Sequence, residues 1–252
     1  MLNADCIAIA IQNKRYFRDS VAECIYRFCV VLITLFALTG VACAGSSYDP
    51  KDIVSNMEHA YADVYDYRTN LTITGFGKDS SFRSVQKLVY RFKKPNKVRI
   101  DFESPHNGMV IVFPDHDGKV AVSFGNWFPL PSMQFSPNSS VVEISPGQHI
   151  HQTDLGMLIR NITSSMAELS MGDLKLEEDG DRIVIRVLSD NPFRKGEATR
   201  YTFYIDKNLW LPVAVEESTP NGVLRRRVVY ENLRLNTGVS DRVFRLAGHE
   251  NG

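Results

Sequence analysis

The sequence predicts a mainly β, α+β protein built on a large antiparallel sheet with two helices on one of its faces. Three observations carry that prediction. Through much of residues 71–232, apolar and polar side chains alternate with period two, the signature of strands covered on one face. Two segments only, after Asp49 and after Thr153, carry the helical period. The alternating runs are separated by short turn signals, with no repeat and no Pro/Gly/Ser linker that would divide them into domains.

Residues 28–42 read FCVVLITLFALTGVA, with Lys14, Arg15, Arg18 and Arg27 ahead of them and the small-residue exit Ala42-Cys43-Ala44-Gly45 behind. Basic start, apolar middle and small exit describe a secretory signal. The uncharged run of 15 residues is shorter than the roughly 20 that a spanning helix needs. A retained anchor and a lipidated Cys43 are the two other fates of such a segment. Gly40 stands three residues before Cys43, where lipidation signals carry a larger aliphatic residue. The reading adopted is a cleaved signal at 1–44 and a single domain at 45–252, although the long stretch before the apolar run also admits a start downstream of Met1.

Removal of that leader takes Cys6, Cys24, Cys29 and Cys43 with it, so the 208 remaining residues hold no thiol. A chain of that size buries about 70% of its unfolded surface and can stand on its core without disulfides. The leader holds four basic and three acidic residues out of 29 of each, which leaves 25 and 26 in the domain. That balance speaks against nucleic acid as a partner, which would ask for a basic stripe.

The domain opens with a helix: Asp49 as cap, Pro50 in the first turn, then Ile53, Met57, Tyr61 and Val64 at helical spacing, ending near Asp66-Tyr67. Leu71–Thr74, Lys87–Lys93 and Lys97–Glu103 then alternate, the last two joined by Lys94-Pro95-Asn96. Met109–Phe113 and Lys119–Phe124 form a hairpin around Pro114–Gly118. Residues 125–150 hold Pro129, Pro131, Pro137 and Pro146 among Trp127, Phe128, Met133 and Phe135; the prolines confine the stretch to loop or sheet edge, as a covering loop or an apolar lid. Thr153 or Asp154 caps a second helix with the stripe Leu155, Leu158, Ile162, Met166 and Leu169, ending near Gly172. Strands follow at Leu174–Glu178, Arg182–Leu188, Arg200–Asp206, Pro212–Glu217 and Leu224–Asn232, with Asp179-Gly180 and Asn221-Gly222 as turns. Nine to eleven strands are expected.

No nucleophile elbow, phosphate loop, HExxH pair or dinucleotide fingerprint occurs, so neither catalysis nor a cofactor is expected. His149 and His151 stand two apart and could share a metal, with His106 and the Asp115-His116-Asp117 triplet as further donors. No third ligand has a diagnostic spacing, and no metal site is assigned. In Arg225-Arg226-Arg227 the middle residue alternates away from its neighbours, so the run is not one basic patch. The sequons at Asn70, Asn138 and Asn161 bear only on a host that glycosylates.

What remains is the apolar face. It carries Leu88, Tyr90, Phe92, Val98, Ile100, Phe102, Val122, Phe124, Ile183, Ile185, Tyr201 and Phe203, with Val120, Val187 and Ile205 beside them. Either two helices pack this face solid, or they leave a cleft for an apolar ligand; pattern alone leaves both open.

The segment Tyr90-Arg91-Phe92-Lys93-Lys94-Pro95-Asn96-Lys97-Val98-Arg99-Ile100-Asp101-Phe102-Glu103-Ser104-Pro105, followed by the Asp117-Gly118 hairpin, resembles the LolA-like superfamily. So does the C-terminal run of Tyr201–Asp206, Leu211-Pro212, Asn221-Gly222, Tyr230-Glu231-Asn232 and Val243-Phe244. That superfamily includes the periplasmic outer-membrane lipoprotein carrier and a lipoprotein-sensing regulator. The resemblance implies an unclosed, strongly curved antiparallel β-barrel covered by helices on its concave face, with the twelve residues above lining a cleft. It further implies a monomeric, non-enzymatic periplasmic carrier of lipoprotein acyl chains or lipid, with transport partners at the inner and outer membranes. A sensor or partner-binding module on the same fold is the alternative. The His151–Leu169 helix and its proline-rich flank are longer than the carrier's, and no arginine here is assigned the carrier's lid-controlling role.

Overall fold

The computed structural model describes residues 48–79, 81–115, 117–125, 132–167 and 174–246, all within the compact unit Gly45–Gly252. Helix α1 is Pro50–Ala62. Asp49 caps it by accepting from the Lys51 N–H at 2.7 Å, and Pro50 occupies the first turn. Ile53 and Met57 are buried on its inner side. The helix stops short of the expected Asp66-Tyr67 because those two residues already pair with Lys93 and Phe92 in the sheet. Val64 is buried as expected, but in the connection beyond the helix.

The strands are β1 (Asp66–Phe76), β2 (Phe82–Lys93), β3 (Lys97–Ser104), β4 (Val110–Phe113), β5 (Val120–Ser123) and β6 (Met133–Phe135). After the hairpin β7 (Glu143–Ser145) and β8 (Gln148–His149) comes helix α2 (Leu155–Ala167). The chain ends in β9 (Lys175–Asp179), β10 (Arg182–Asp190), β11 (Ala198–Asp206), β12 (Leu211–Ser218) and β13 (Leu224–Leu235). Among the described residues eleven strands form one antiparallel sheet in the order β6-β5-β4-β3-β2-β1-β13-β12-β11-β10-β9. Two consecutive meanders are thus joined by one long-range ladder, β1 with β13, and the ends β6 and β9 stay unpaired, so the sheet is not closed.

Alternation assigns the two faces. Tyr67, Leu71, Leu88, Tyr90, Phe92, Val98, Ile100, Ile183, Ile185, Phe203 and Ile205 point inward and join Ile53, Met57, Leu155, Ile159 and Ile162 of the helices in one core. The buried side of α2 is Leu155, Gly156, Ile159 and Ile162. Leu158 and Met166, expected on the central stripe, are only half-buried at its margin; Leu169 and Gly172 lie outside the described residues. Gly156 explains how closely the helices approach, since a β-carbon there would stand 2.4 Å from the Tyr61 ring. The Tyr67 hydroxyl accepts from the Leu155 N–H at 3.0 Å and so satisfies one of the free donors in the first turn of α2. Asp154 caps the same helix, accepting from the Met157 N–H at 3.1 Å.

In the proline-rich stretch Met133–Phe135 adds an edge strand, as loop or sheet edge allows, and the small β7–β8 hairpin follows, while Trp127, Phe128, Pro129 and Pro131 lie outside the described residues. One expectation needs correction: the sheet is not covered on one face only. Val112 and Ala121 point to the convex side and pack beneath Phe244 and Leu246, which arrive on the 3-10 turn Asp241–Phe244. Asp241 meets Lys93 and Lys97 at 2.8 and 3.1 Å, and Arg99 donates to the Val243 carbonyl at 2.9 Å. Alternation could not show this, because the cover comes from a segment more than a hundred residues away in the chain.

This second core makes a measurable claim. Phe244→Ala should cost about 3 kcal/mol of unfolding free energy by denaturant titration, the range for emptying a buried aromatic site; a cost below about 0.5 kcal/mol would mean that the C-terminal turn merely rests on the sheet.

Candidate functional site

The concave face leaves space beneath its cover. One cavity of about 80 Å³ has a floor of Leu71, Ile73, Leu88, Tyr90, Ile100, Tyr201, Phe203, Val215, Val228 and Tyr230. Its roof is Ile144 of β7, Gln148 of β8, the Gln152–Asp154 connection, Leu158, Asn161 and Ser165 of α2, and the Pro192-Phe193 loop. A second cavity of about 260 Å³ lies toward the β4–β6 edge, between Gln86, Phe102, His106, Met109, Ile111, Val122, Phe124 and Phe135 below and Val141, Val142 and Glu143 above. Ile73, Leu88, Ile100 and Ile144 line both. The two are therefore adjoining parts of one apolar cleft running along the sheet under the β7–β8 hairpin.

Strand register explains the lining. Phe203, Val215, Val228 and Ile73 are consecutive cross-strand partners on β11, β12, β13 and β1. Tyr230, Leu71, Leu88 and Phe102 form the neighbouring row. That residues from β3 through to β11 line one cavity shows how strongly the sheet bends. The hairpin above is held in place at Gly147, whose φ of +78° excludes most side chains and where a β-carbon would meet the Phe193 carbonyl oxygen at 2.4 Å.

One end of the first cavity is polar. Arg226 and Glu217 face into it as an ion pair at 3.0 Å, both largely screened from solvent. Asp154 stands there too, accepting from the Tyr61 hydroxyl at 2.9 Å. As alternation requires, Arg225 and Arg227 turn the other way, to the Gly77 carbonyl and to Glu216. Burial raises the pKa of Tyr67 and Tyr90 well above the phenol range, and that of Tyr230 to about 12. Burial, then Glu217, raises Tyr201 as well. The cleft tyrosines are thus neutral hydroxyls at physiological pH: Tyr90 shares a hydrogen bond with Thr153 at 3.0 Å.

Of the residues proposed from sequence, Leu88, Tyr90, Ile100, Phe102, Val122, Phe124, Tyr201 and Phe203 line the cleft. Phe92, Val98, Ile183 and Ile185 do not; they share the same face but are fully buried, Phe92 against the Tyr67 ring at 5.2 Å. Sequence reasoning missed Leu71, Ile73, Val215, Val228 and Tyr230, although they alternate in the same way along their strands. It also missed the Glu217–Arg226 pair, for which no sequence signal existed.

No protein-family model matches the chain, and no curated protein matches it. Among solved structures it is similar to a LolA superfamily protein from Nitrosomonas europaea, at 10% identity over 79% of this chain and 99% of that one, TM-score 0.37. It is also similar to an outer membrane lipoprotein-sorting protein domain from Vibrio parahaemolyticus, at 11% identity over 78% and 97%, TM-score 0.40. A third is a chain of the MucA/MucB complex of Pseudomonas aeruginosa, at 15% identity over 77% and 61%, TM-score 0.38. At these identities the likeness concerns the fold alone.

His149 and His151 flank the cleft roof. Their rings stack at 5.7 Å, 7° from parallel, and His151 also meets Phe113 at 5.9 Å. Both Nδ1 atoms are buried without a hydrogen-bond partner among the described residues. No group of three His, Cys, Asp or Glu side chains there could hold a metal ion; His116 lies outside the described residues. Burial, then His149, holds the His151 pKa below the usual imidazole value. The folded state therefore prefers neutral His151, while the unfolded chain takes up a proton at higher pH. Its contribution to stability is complete above about pH 6.5 and is lost as pH falls through the depressed value. The melting temperature should fall between about pH 7.5 and pH 5, and His151→Phe, which keeps the packing on Phe113, should flatten that slope; an unchanged slope would contradict the assignment.

Proposed function

We propose that this chain is an exported, non-enzymatic carrier that takes the acyl chains of a lipid or lipoprotein into the concave cleft, in the periplasm, for delivery to the outer membrane. Export through the leader with cleavage after Ala44 belongs to the same proposal. The observation that supports it is the continuous apolar cleft: two cavities sharing Ile73, Leu88, Ile100 and Ile144, roofed by a hairpin rather than filled by side chains.

The energetics suit an aliphatic chain. Each methylene buried contributes about 0.8 kcal/mol, so a chain of about ten leaves several kcal/mol after the costs of association and ordering. The polar end at Glu217, Arg226 and Asp154 gives the head of such a molecule hydrogen-bonding partners while its tail runs toward Phe102 and Phe135. Beyond α2 and the Pro192-Phe193 loop, the roof is made of short elements, the β7–β8 hairpin and the 3-10 turns Ser140–Val142 and Ile150–Gln152, which can part from the sheet with fewer lost contacts than a long helix.

A fluorescent fatty-acyl probe should bind the delipidated protein. Ile73→Trp, which places an indole where the two cavities meet, should weaken binding about tenfold, the loss of roughly two buried methylenes. Thr72→Trp, on the other face of the same strand, should not. A probe that fails to bind the parent protein would make the concave face an ordinary core and favour the partner-binding module instead.

A further inference from the structure

On the convex face, strand register lines up four arginines from four adjacent strands: Arg234 of β13 opposite Arg68 of β1, Arg68 opposite Arg91 of β2, and Arg91 opposite Arg99 of β3. Directly paired residues of an antiparallel ladder share a face, so the guanidinium groups form a row about 14 Å long, three strand spacings. Arg91 and Arg99 share Asp101 as counter-ion. Arg68 and Arg234 are exposed and have no ion pair or hydrogen bond among the described residues.

A bulge creates this juxtaposition. Between the pairs Asn70–Glu231 and Arg68–Arg234 the register shifts by one residue, at Asn232, whose φ is +54°. Without the shift Leu233 would stand opposite Arg68. With it, Leu233 and Leu235 turn toward the core and Arg234 faces outward. Like charges directly opposite each other destabilise a sheet, and no acidic side chain of the described residues answers these two. The neighbouring Glu231 accepts from Thr72, and the Asp66 carboxylate is turned to Thr237 and Val239.

We infer that this face docks on an anionic phospholipid surface, with Arg68 and Arg234 on headgroup phosphates. The inference rests on the carrier reading only in that a carrier must visit a membrane; the cleft lies on the opposite face of the sheet. An acidic peptide is the less fitting occupant, since Arg68 and Arg234 stand on open strand surface without a pocket for anchoring side chains, while the C-terminal segment covers Arg99.

Co-sedimentation with vesicles tests it. The protein should bind vesicles of equal parts phosphatidylglycerol and phosphatidylcholine, more weakly as salt rises, and not those of phosphatidylcholine alone. At about fivefold per arginine, the double variant Arg68→Gln/Arg234→Gln should bind about 25-fold more weakly. Having lost a like-charge pair, the double variant should melt at or above the parent temperature and still bind the fatty-acyl probe, which separates docking from both unfolding and cleft occupancy. Equal binding of the two vesicle types, an unchanged affinity of the double variant, or tighter binding of soluble polyglutamate or inorganic phosphate than of vesicles would overturn the inference. Probe failure with vesicle binding intact would overturn the carrier reading alone.

Discussion

Two helices of thirteen residues cannot cover the concave face of an eleven-stranded sheet, and much else in the molecule follows from that shortfall. Ten strand spacings give a surface about 48 Å across, while each helix is about 20 Å long and 10 Å wide. Bending reduces the mismatch by bringing β3 and β11 to one cavity. The residue must be covered by something, because exposed apolar area of that extent is costly in water. Here the β7–β8 hairpin and its flanking turns do so, and a hairpin two or three residues per strand is too thin to fill the space below it. The core is solid beneath the buried side of the helices, and the cleft opens under the hairpin and the side of α2 that carries Leu158, Asn161 and Ser165.

The same division explains what could be read from the sequence. Outside residues 125–150 alternation located the strands, and helical spacing both helices, since each reports on burial against whatever lies nearest. Phe92 and Tyr90 stand two apart on β2 and have identical patterns; one is sealed beneath Tyr67 and the other lines the cavity. Only the position of the helices separates them, and that depends on contacts such as Tyr67 with Leu155, 88 residues apart. The Glu217–Arg226 pair was hidden for a related reason. Its partners lie on different strands, and the β12–β13 register that sets them opposite cannot be deduced from either strand alone. The C-terminal turn over Val112 and Ala121 is the same failure on the convex side.

The sheet thereby separates two chemistries by the thickness of one backbone. Leu71 faces the cleft, while Arg68 and Asn70, from the same strand, face out among arginines. Period two is what permits this, and the bulge at Asn232 shows that the separation is maintained actively: one inserted residue restores Leu233 and Leu235 to the core side after the ladder has shifted. Ligand and surface contacts can then vary independently, which a helical scaffold with a single apolar stripe allows less readily.

The central claim is that the space under the hairpin is filled by an aliphatic chain in the exported protein. Mass spectrometry of the protein purified from its own compartment under non-denaturing conditions tests it most directly. The expected result is one lipid or acylated peptide per chain, released on denaturation and diminished in a variant whose cleft is blocked. Protein of bare polypeptide mass, with no lipid in an organic extract of the folded sample, would contradict it.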